Sequence, residues 1–264
     1  PGGPARPPPV PGARPMTTIA PQIPTLEPSP VRRPVMVQRW TDVVFLHWRY
    51  SSEVVQSLLP RGVDVDTYDG SAWIGLVPFR MEGLGLPGLA PLPLVGEFPE
   101  VNVRTYVRSG SRRGGWFFSL DIDRLLPTVV ARTAYRLPYC YGHVEHRRVG
   151  QIVTSRVRRR WPRGIDAGRS EIAIRTGAPV DRHDPLAHFL TSRWGLIAST
   201  RRGALRHAAV DHPPWPLHAA EVLHLDDRLV VAAGLPTPTG PPQALWAPGV
   251  DVRVGRPTGV DTGT

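Results

Sequence analysis

Between residues 36 and 255 the chain is written mostly in short runs where apolar and polar positions alternate. The clearest is "EVNVRTYVR" at 100–108. Val101, Val103, Thr105 and Val107 share one face of an extended chain, and Glu100, Asn102, Arg104, Tyr106 and Arg108 share the other. Alternation with period two and many β-branched residues predicts a strand. Its polar face looks either at water, as in a half-buried antiparallel strand, or into a barrel, where the same groups would line a small-molecule cavity.

The remaining pattern predicts the following order. Residues 36–50 are extended. Residues 51–62 form a short helix capped by Ser51 or Ser52, with Val54, Val55, Leu58 and Leu59 as its apolar stripe and Pro60-Arg61-Gly62 as its stop. Residues 71–81 are a strand apolar on both faces, and 82–96 a Gly/Pro loop. A basic turn at Ser109–Gly115 leads into "GWFFSLDID", completing a hairpin. A helix is expected at 125–137, with Pro127 in its first turn, and strands near 143–160 and 170–176. A second helix over 183–198 opens with Asp184 and Pro185 and turns Leu186, Phe189 and Leu190 inward. Two or three strands, in "LRHAAVDHP", "LHAAEVLHL" and "RLVVAAGL", close the fold. Many strands and few short helices argue an α+β, mainly β domain, a closed antiparallel or mixed β-barrel spanning 35–255.

Composition narrows this picture. Residues 1–34 contain twelve prolines and little apolar periodicity, so a disordered tail is expected there, with Met16 as a natural start; 256–264 read as a second flexible tail. No apolar run is long enough to span a membrane, and no secretory leader is evident. Cys140 is the single cysteine, which excludes an internal disulfide and makes a cytoplasmic location the expectation. The net charge is +10, and all 32 basic residues are arginine. The densest run, "SRVRRRWPRG" (155–164), places Arg156, Arg158 and Arg160 on one side and Val157 and Arg159 on the other, as in a solvated edge strand. No nucleic-acid-binding motif accompanies the charge, so nucleic acid is not the expected partner. Oligomeric state is left open.

The segments "WRYSSEVVQSLLPRGVDVDTYDGSAWIGLVPFRM", "EVNVRTYV", "FFSLDID", "ARTAYRLPY", "HPPWPL" and "AAGLP" together resemble the YqjF-like family of conserved bacterial proteins, which has no assigned activity. Distant relatives are the acetoacetate decarboxylases, so the resemblance implies a closed, cone-like barrel with an interior pocket. It also aligns Glu100 with the decarboxylases' strand glutamate and Arg132 with their helix arginine. "LPYC" falls on their Gly-x-Pro-Lys-Lys segment, so that Tyr139 and Cys140 stand where the two lysines would be. A chain without lysine cannot form the imine on which that decarboxylation depends; the activated lysine of acetoacetate decarboxylase is a standard example of such catalysis.

If the polar face of 100–108 lines a cavity, its chemistry suits a small organic acid. Arg104 would hold a carboxylate through paired N–H groups, with Asn102, Tyr106 and Arg132 as further ligand contacts. Glu100 would act as a base if burial raises its pKa, and Tyr139 would donate to a developing enolate. Two functions follow, a barrel that binds a small anionic metabolite or an enzyme acting on an enolisable keto acid. The alternative is that Glu100 and Arg104 merely pair with each other or face water. Other candidates are weaker. "HVEH" (143–146) splits His143 and Glu145 from His146, a poor metal geometry, and no metal or cofactor is expected. His183, His188, His212, His218 and His224 are dispersed, and Cys140 reads as a buried thiol. Ser119 lacks a nucleophile-elbow context. Trp215 reads as packing, with Glu221 a candidate to reach the cavity.

Overall fold

The structure, a computed structural model, describes residues 30–90, 96–124, 137–162, 168–181, 183–200 and 202–260. Thirteen strands and three short helices lie among them. In chain order these are β1 (Met36–Tyr50), α1 (Ser52–Gln56), β2 (Asp64–Val65), β3 (Ala72–Gly85), β4 (Phe98–Ser109), β5 (Arg112–Ile122), β6 (Tyr139–Val149) and β7 (Ile152–Trp161). They continue with β8 (Arg169–Pro179), α2 (Pro185–Thr191), β9 (Gly195–Ser199), β10 (Leu205–Asp211), β11 (His218–Asp227), α3 (Leu229–Ala232), β12 (Gln243–Val254) and β13 (Thr258–Gly259).

The strands close on themselves. Running β5-β6-β7-β8-β11-β12-β1-β3-β4 and back to β5, they form a nine-stranded barrel, antiparallel except for the parallel β5–β6 step. This is the α+β, mainly β closed barrel that the pattern predicts. A second ring branches from it. β9 joins β5 at Gly115–Leu196, β10 joins β9, and β10 returns to β12 at Val210–Val254. The strands β12, β1, β3, β4 and β5 therefore form a wall common to both rings.

A wall with a compartment on each side must be buried on both faces. Val44, Leu46 and Trp48 of β1, Ile74 and Leu76 of β3, and Val101 and Val103 of β4 pack into the interior of the nine-stranded barrel with Val144, Val157, Ile172 and Ile174. Their neighbours Val43, Phe45, Val77 and Phe79 face the other way, packing with Trp215, Leu217, Ala208 and Val210 and with Ala187 of α2. Each such side chain stabilises the wall by about 1.5–3 kcal/mol relative to exposure. This is why 71–81 has no alternation: both faces are dry.

Several boundaries differ from expectation, each for a physical reason. The predicted loop at 82–96 begins later, because β3 runs on to Gly85 in pairing with β1. Ser51 caps α1 through its hydroxyl, but the helix ends at Gln56; Val55 is buried while Leu58 is exposed. Asp184 caps α2, its carboxylate accepting from the amides of Leu186 and Ala187, but the helix stops at Thr191. The last part of the run predicted as helix, from Gly195, belongs to β9, held against β5. "RLVVAAGL" contains the helical turn α3 rather than a strand, because Asp227 Oδ2 accepts from the Val230 amide and Leu229 and Val230 bury together. Strand β12 escaped the pattern because Pro248 and Gly249 interrupt it. At Gly249 the wall needs φ +139°, and an added Cβ would lie 2.3 Å from the Trp40 carbonyl oxygen. The stretch from 256, expected as a loose tail, includes β13 paired with β10. At the other end the Val35 amide bonds Val254 O, and Val31 is buried. β7 is no edge strand; it lies between β6 and β8. The helix expected at 125–137, with Arg132, falls outside the described residues except for Leu137, as do most of the proline-rich segment and residues 261–264.

The rings meet where β5 and β9 nearly touch: a Cβ on Gly114 would lie 2.7 Å from the Gly195 carbonyl oxygen, whereas one on Gly115 would meet nothing closer than 3.9 Å. Gly114→Ala is therefore expected to lower stability by about 1–3 kcal/mol through overpacking, and Gly115→Ala to change it far less. Denaturant unfolding of the two variants decides this; equal effects would mean that the seam is not tight.

Candidate functional site

The polar face of β4 turns away from the interior of the nine-stranded barrel, because Val101 and Val103 occupy that side. It points into the second compartment, beneath α2 and Trp215. Glu100, Asn102 and Tyr106 are buried there and Arg104 is half-buried. The face is enclosed, though on the side of the wall opposite the main barrel core.

Cross-strand register builds the site. His47, Gly75 and Arg104 lie side by side across β1, β3 and β4. Gly75 is required by its neighbour, since a Cβ there would lie 2.7 Å from His47 Nε2. His47 Nε2 lies 2.6 Å from the Tyr106 hydroxyl, which donates to the Leu190 carbonyl of α2. That hydroxyl has one proton, so His47 donates through Nε2 and its Nδ1 is left as a bare acceptor. Burial, then the Arg104 and Arg193 charges, hold the His47 pKa well below its ordinary value, so the ring is neutral.

Arg104 Nη2 reaches the Tyr106 hydroxyl and Leu190 O, each at 3.4 Å, and its guanidinium lies 5.7 Å from the Phe45 ring and 5.6 Å from that of Tyr106. No carboxylate stands within ion-pair distance of it among the described residues, and its Nε is buried without a partner. Glu100 does not pair with it. Instead Glu100 Oε1 accepts from Asn102 Nδ2 at 3.4 Å, and Oε2 from the Tyr139 hydroxyl at 3.3 Å. Burial pushes the Glu100 pKa up to about 7, with these two hydrogen bonds pulling the other way and Asp121 adding a small upward push. Burial and the adjacent Glu100 push Tyr139 well above the usual phenol range. Asn102 Oδ1 is also buried without a partner. Trp215, donating Nε1–H to Thr191 O at 3.0 Å, stands edge-on to Phe45 at 5.2 Å and stacks on Trp40 at 6.1 Å, walling the compartment.

Glu100, Asn102 and Tyr139 thus form one hydrogen-bonded group, with Arg104 and Tyr106 in a second group along the same face. Arg132 lies outside the described residues. Cys140 is buried with its thiol toward Pro138 O. Glu221 does not reach the compartment; it is exposed and pairs with Arg175 at 2.5 Å. His143 bonds Glu145 on the outer surface, and His146 bonds the Asp42 carbonyl. Among the described residues no three His, Cys, Asp or Glu side chains are grouped to hold a metal. In the arginine run, Arg156 pairs with Glu171 outside the barrel, while Arg159 turns inward to grip Asp121 with two bonds of 2.7 Å. His47 and the buried Arg193–Asp66 pair, 2.7 Å apart, went unrecognised in the sequence. For His47 a signal existed: it continues the Val43, Phe45 face within the run 43–48, whose other residues are all apolar.

A mainly β double ring with a polar, enclosed strand face defines the class, an acetoacetate decarboxylase-like barrel. The chain belongs to the DUF2071 family of uncharacterised conserved proteins, whose model matches residues 37–251. It is 32% identical over 218 residues to the uncharacterised protein YqjF of Bacillus subtilis (strain 168), covering 83% of this chain and 89% of that one. Solved structures share the fold at low identity. An acetoacetate decarboxylase-like enzyme from Sphingomonas wittichii RW1 has TM-score 0.61 at 14% identity, covering 90% of this chain and 97% of that one. The enduracididine biosynthesis enzyme MppR complexed with pyruvate has TM-score 0.60 at 13%, covering 89% and 94%. The acetoacetate decarboxylase of Legionella pneumophila has 0.59 at 11%, covering 89% and 93%.

A carboxyl group raised by burial weakens the fold once it ionises. The folded protein holds the Glu100 proton up to about pH 7, the unfolded chain only to about 4.5, so this group's contribution to stability falls as pH rises between those values. Glu100→Gln, which cannot ionise, is expected to gain on the wild type by up to about 3 kcal/mol from pH 5 to pH 8. Urea unfolding at several pH values measures the difference; a pH-independent gap would place the ionised carboxylate in a solvated setting.

Proposed function

We propose that the second compartment binds a small organic acid, with Arg104 as the anchor for its carboxylate. The observation that carries this is the half-buried guanidinium with a bare Nε and no carboxylate within ion-pair distance among the described residues. A cation withdrawn from water without a counter-ion favours an anion that brings one, and the guanidinium fork suits a carboxylate. Glu100, protonated below about pH 7, adds no competing charge there. Support by analogy of fold comes from MppR, which has been captured with pyruvate.

A second reading adds chemistry. In it the Glu100 carboxylate takes a proton from the carbon beside the carbonyl of a bound keto acid, and the Tyr139 hydroxyl donates to the resulting enolate oxygen. The pKa of about 7 favours it, since a base is most effective near the working pH. Imine chemistry is closed to this sequence, which contains no lysine. Nucleic-acid binding is the weakest alternative, because outward arginines of the barrel are partly neutralised by Glu171, Asp226 and Glu221.

Calorimetric titration with two- to four-carbon monocarboxylates tests the proposal. At least one is expected to bind, with Arg104→Gln weakening it tenfold or more, and with affinity falling above pH 7 as Glu100 becomes anionic. Binding that survives the substitution would remove Arg104 from the site. Deuterium incorporation at the methyl group of pyruvate in D2O, abolished by Glu100→Gln, tests the second reading; no incorporation by the wild type would end it.

A further inference from the structure

The unpaired hydrogen-bonding atoms of the compartment say more about the acid than its charge does. Asn102 donates Nδ2–H to Glu100 Oε1, which leaves Oδ1 as a buried acceptor with no donor. His47 donates from Nε2 to Tyr106, whose one proton goes to Leu190 O, so His47 Nδ1 is a second buried acceptor with no donor. Arg104 engages Tyr106 and Leu190 through Nη2 and leaves Nε as a bare donor. A buried polar group of this kind is ordinarily paired, and leaving it unpaired is costly. The molecule that completes the site must therefore donate as well as accept.

We infer that the acid held at Arg104 carries a hydroxyl or ammonium group on the carbon next to its carboxylate, making a 2-hydroxy or 2-amino acid the ligand class. The inference rests on the carboxylate reading above and selects within it. Asn102 and Arg104 are two residues apart on one strand face, a spacing of roughly 6.6 Å along the strand. A carboxylate oxygen and a neighbouring hydroxyl lie about 3 Å apart, and a hydrogen bond of about 2.9 Å slanting from each end spans that distance. The carboxylate then accepts from Arg104 Nε, and the hydroxyl or ammonium donates to Asn102 Oδ1. A keto acid presents only acceptors. Its ketone oxygen would face the Asn102 amide oxygen and leave both bare acceptors unpaired. Sites built to hydrogen-bond a donor reject analogues lacking it far more strongly than apolar pockets reject a missing methylene.

Lactate, alanine, propionate and pyruvate share a three-carbon skeleton and separate the possibilities by titration calorimetry on the full chain. Lactate or alanine is expected to bind at least tenfold more tightly than both propionate and pyruvate, a difference of about 1.4 kcal/mol. Asn102→Leu is expected to level these affinities while binding remains dependent on Arg104. The wild-type comparison stands by itself if that variant fails to fold. Equal affinities with Arg104-dependent binding intact would overturn the inference and leave the carboxylate proposal standing. Tighter pyruvate binding would overturn it in favour of the keto-acid reading. If none of the four acids binds, both fall together.

Discussion

A guanidinium enclosed without a carboxylate partner is the constraint around which the second compartment is arranged. Arg104 is tolerated there because its remaining contacts are all electron-rich: the faces of Phe45 and Tyr106, the Tyr106 hydroxyl and the Leu190 carbonyl at the end of α2. Glu100, the nearest acidic residue on its own strand face, is committed elsewhere, to Asn102 and Tyr139. Had the two paired, the site would be a closed internal salt bridge with nothing to offer a ligand. The separation leaves the guanidinium without a counter-charge and lets the carboxyl group hold a proton near neutral pH.

That arrangement depends on a wall with two dry sides. Because β4 sends Val101 and Val103 into the nine-stranded barrel, its alternate residues are free to carry polar groups into a different space without breaking the main core. The second ring of β9 and β10, with α2 and Trp215, then removes those groups from water. Close approaches enforce the geometry. Gly75 gives His47 room beside Arg104, and Gly114 lets β5 meet β9. Side chains there would push apart the elements that shelter the site.

The sequence was most legible where one rule dominated. Alternation marked β4 and its hairpin with β5, and capping marked the starts of α1 and α2. It was least legible where burial on both faces or a local interruption overrode the pattern. "RLVVAAGL" has strand composition but is folded into a helical turn by the Asp227 side chain. β12 has its pattern interrupted by Pro248 and Gly249, yet it closes both rings. The polar face of β4 could be recognised as special, but not which compartment it entered; that depends on β9 and β10, whose return to the wall no local signal announces. His47 stood out as a polar residue in an apolar run, but its role did not, since its partner Tyr106 is 59 positions away and the Leu190 carbonyl that Tyr106 in turn bonds is a further 84 along.

The most direct measurement is a crystal structure at high resolution, grown free of carboxylates and then soaked in acetate. An acetate oxygen is expected at about 3 Å from Arg104 Nε, with Glu100 still bonded to Asn102 and Tyr139. Glu100 found in bidentate contact with Arg104, and no acetate between them, would contradict the account.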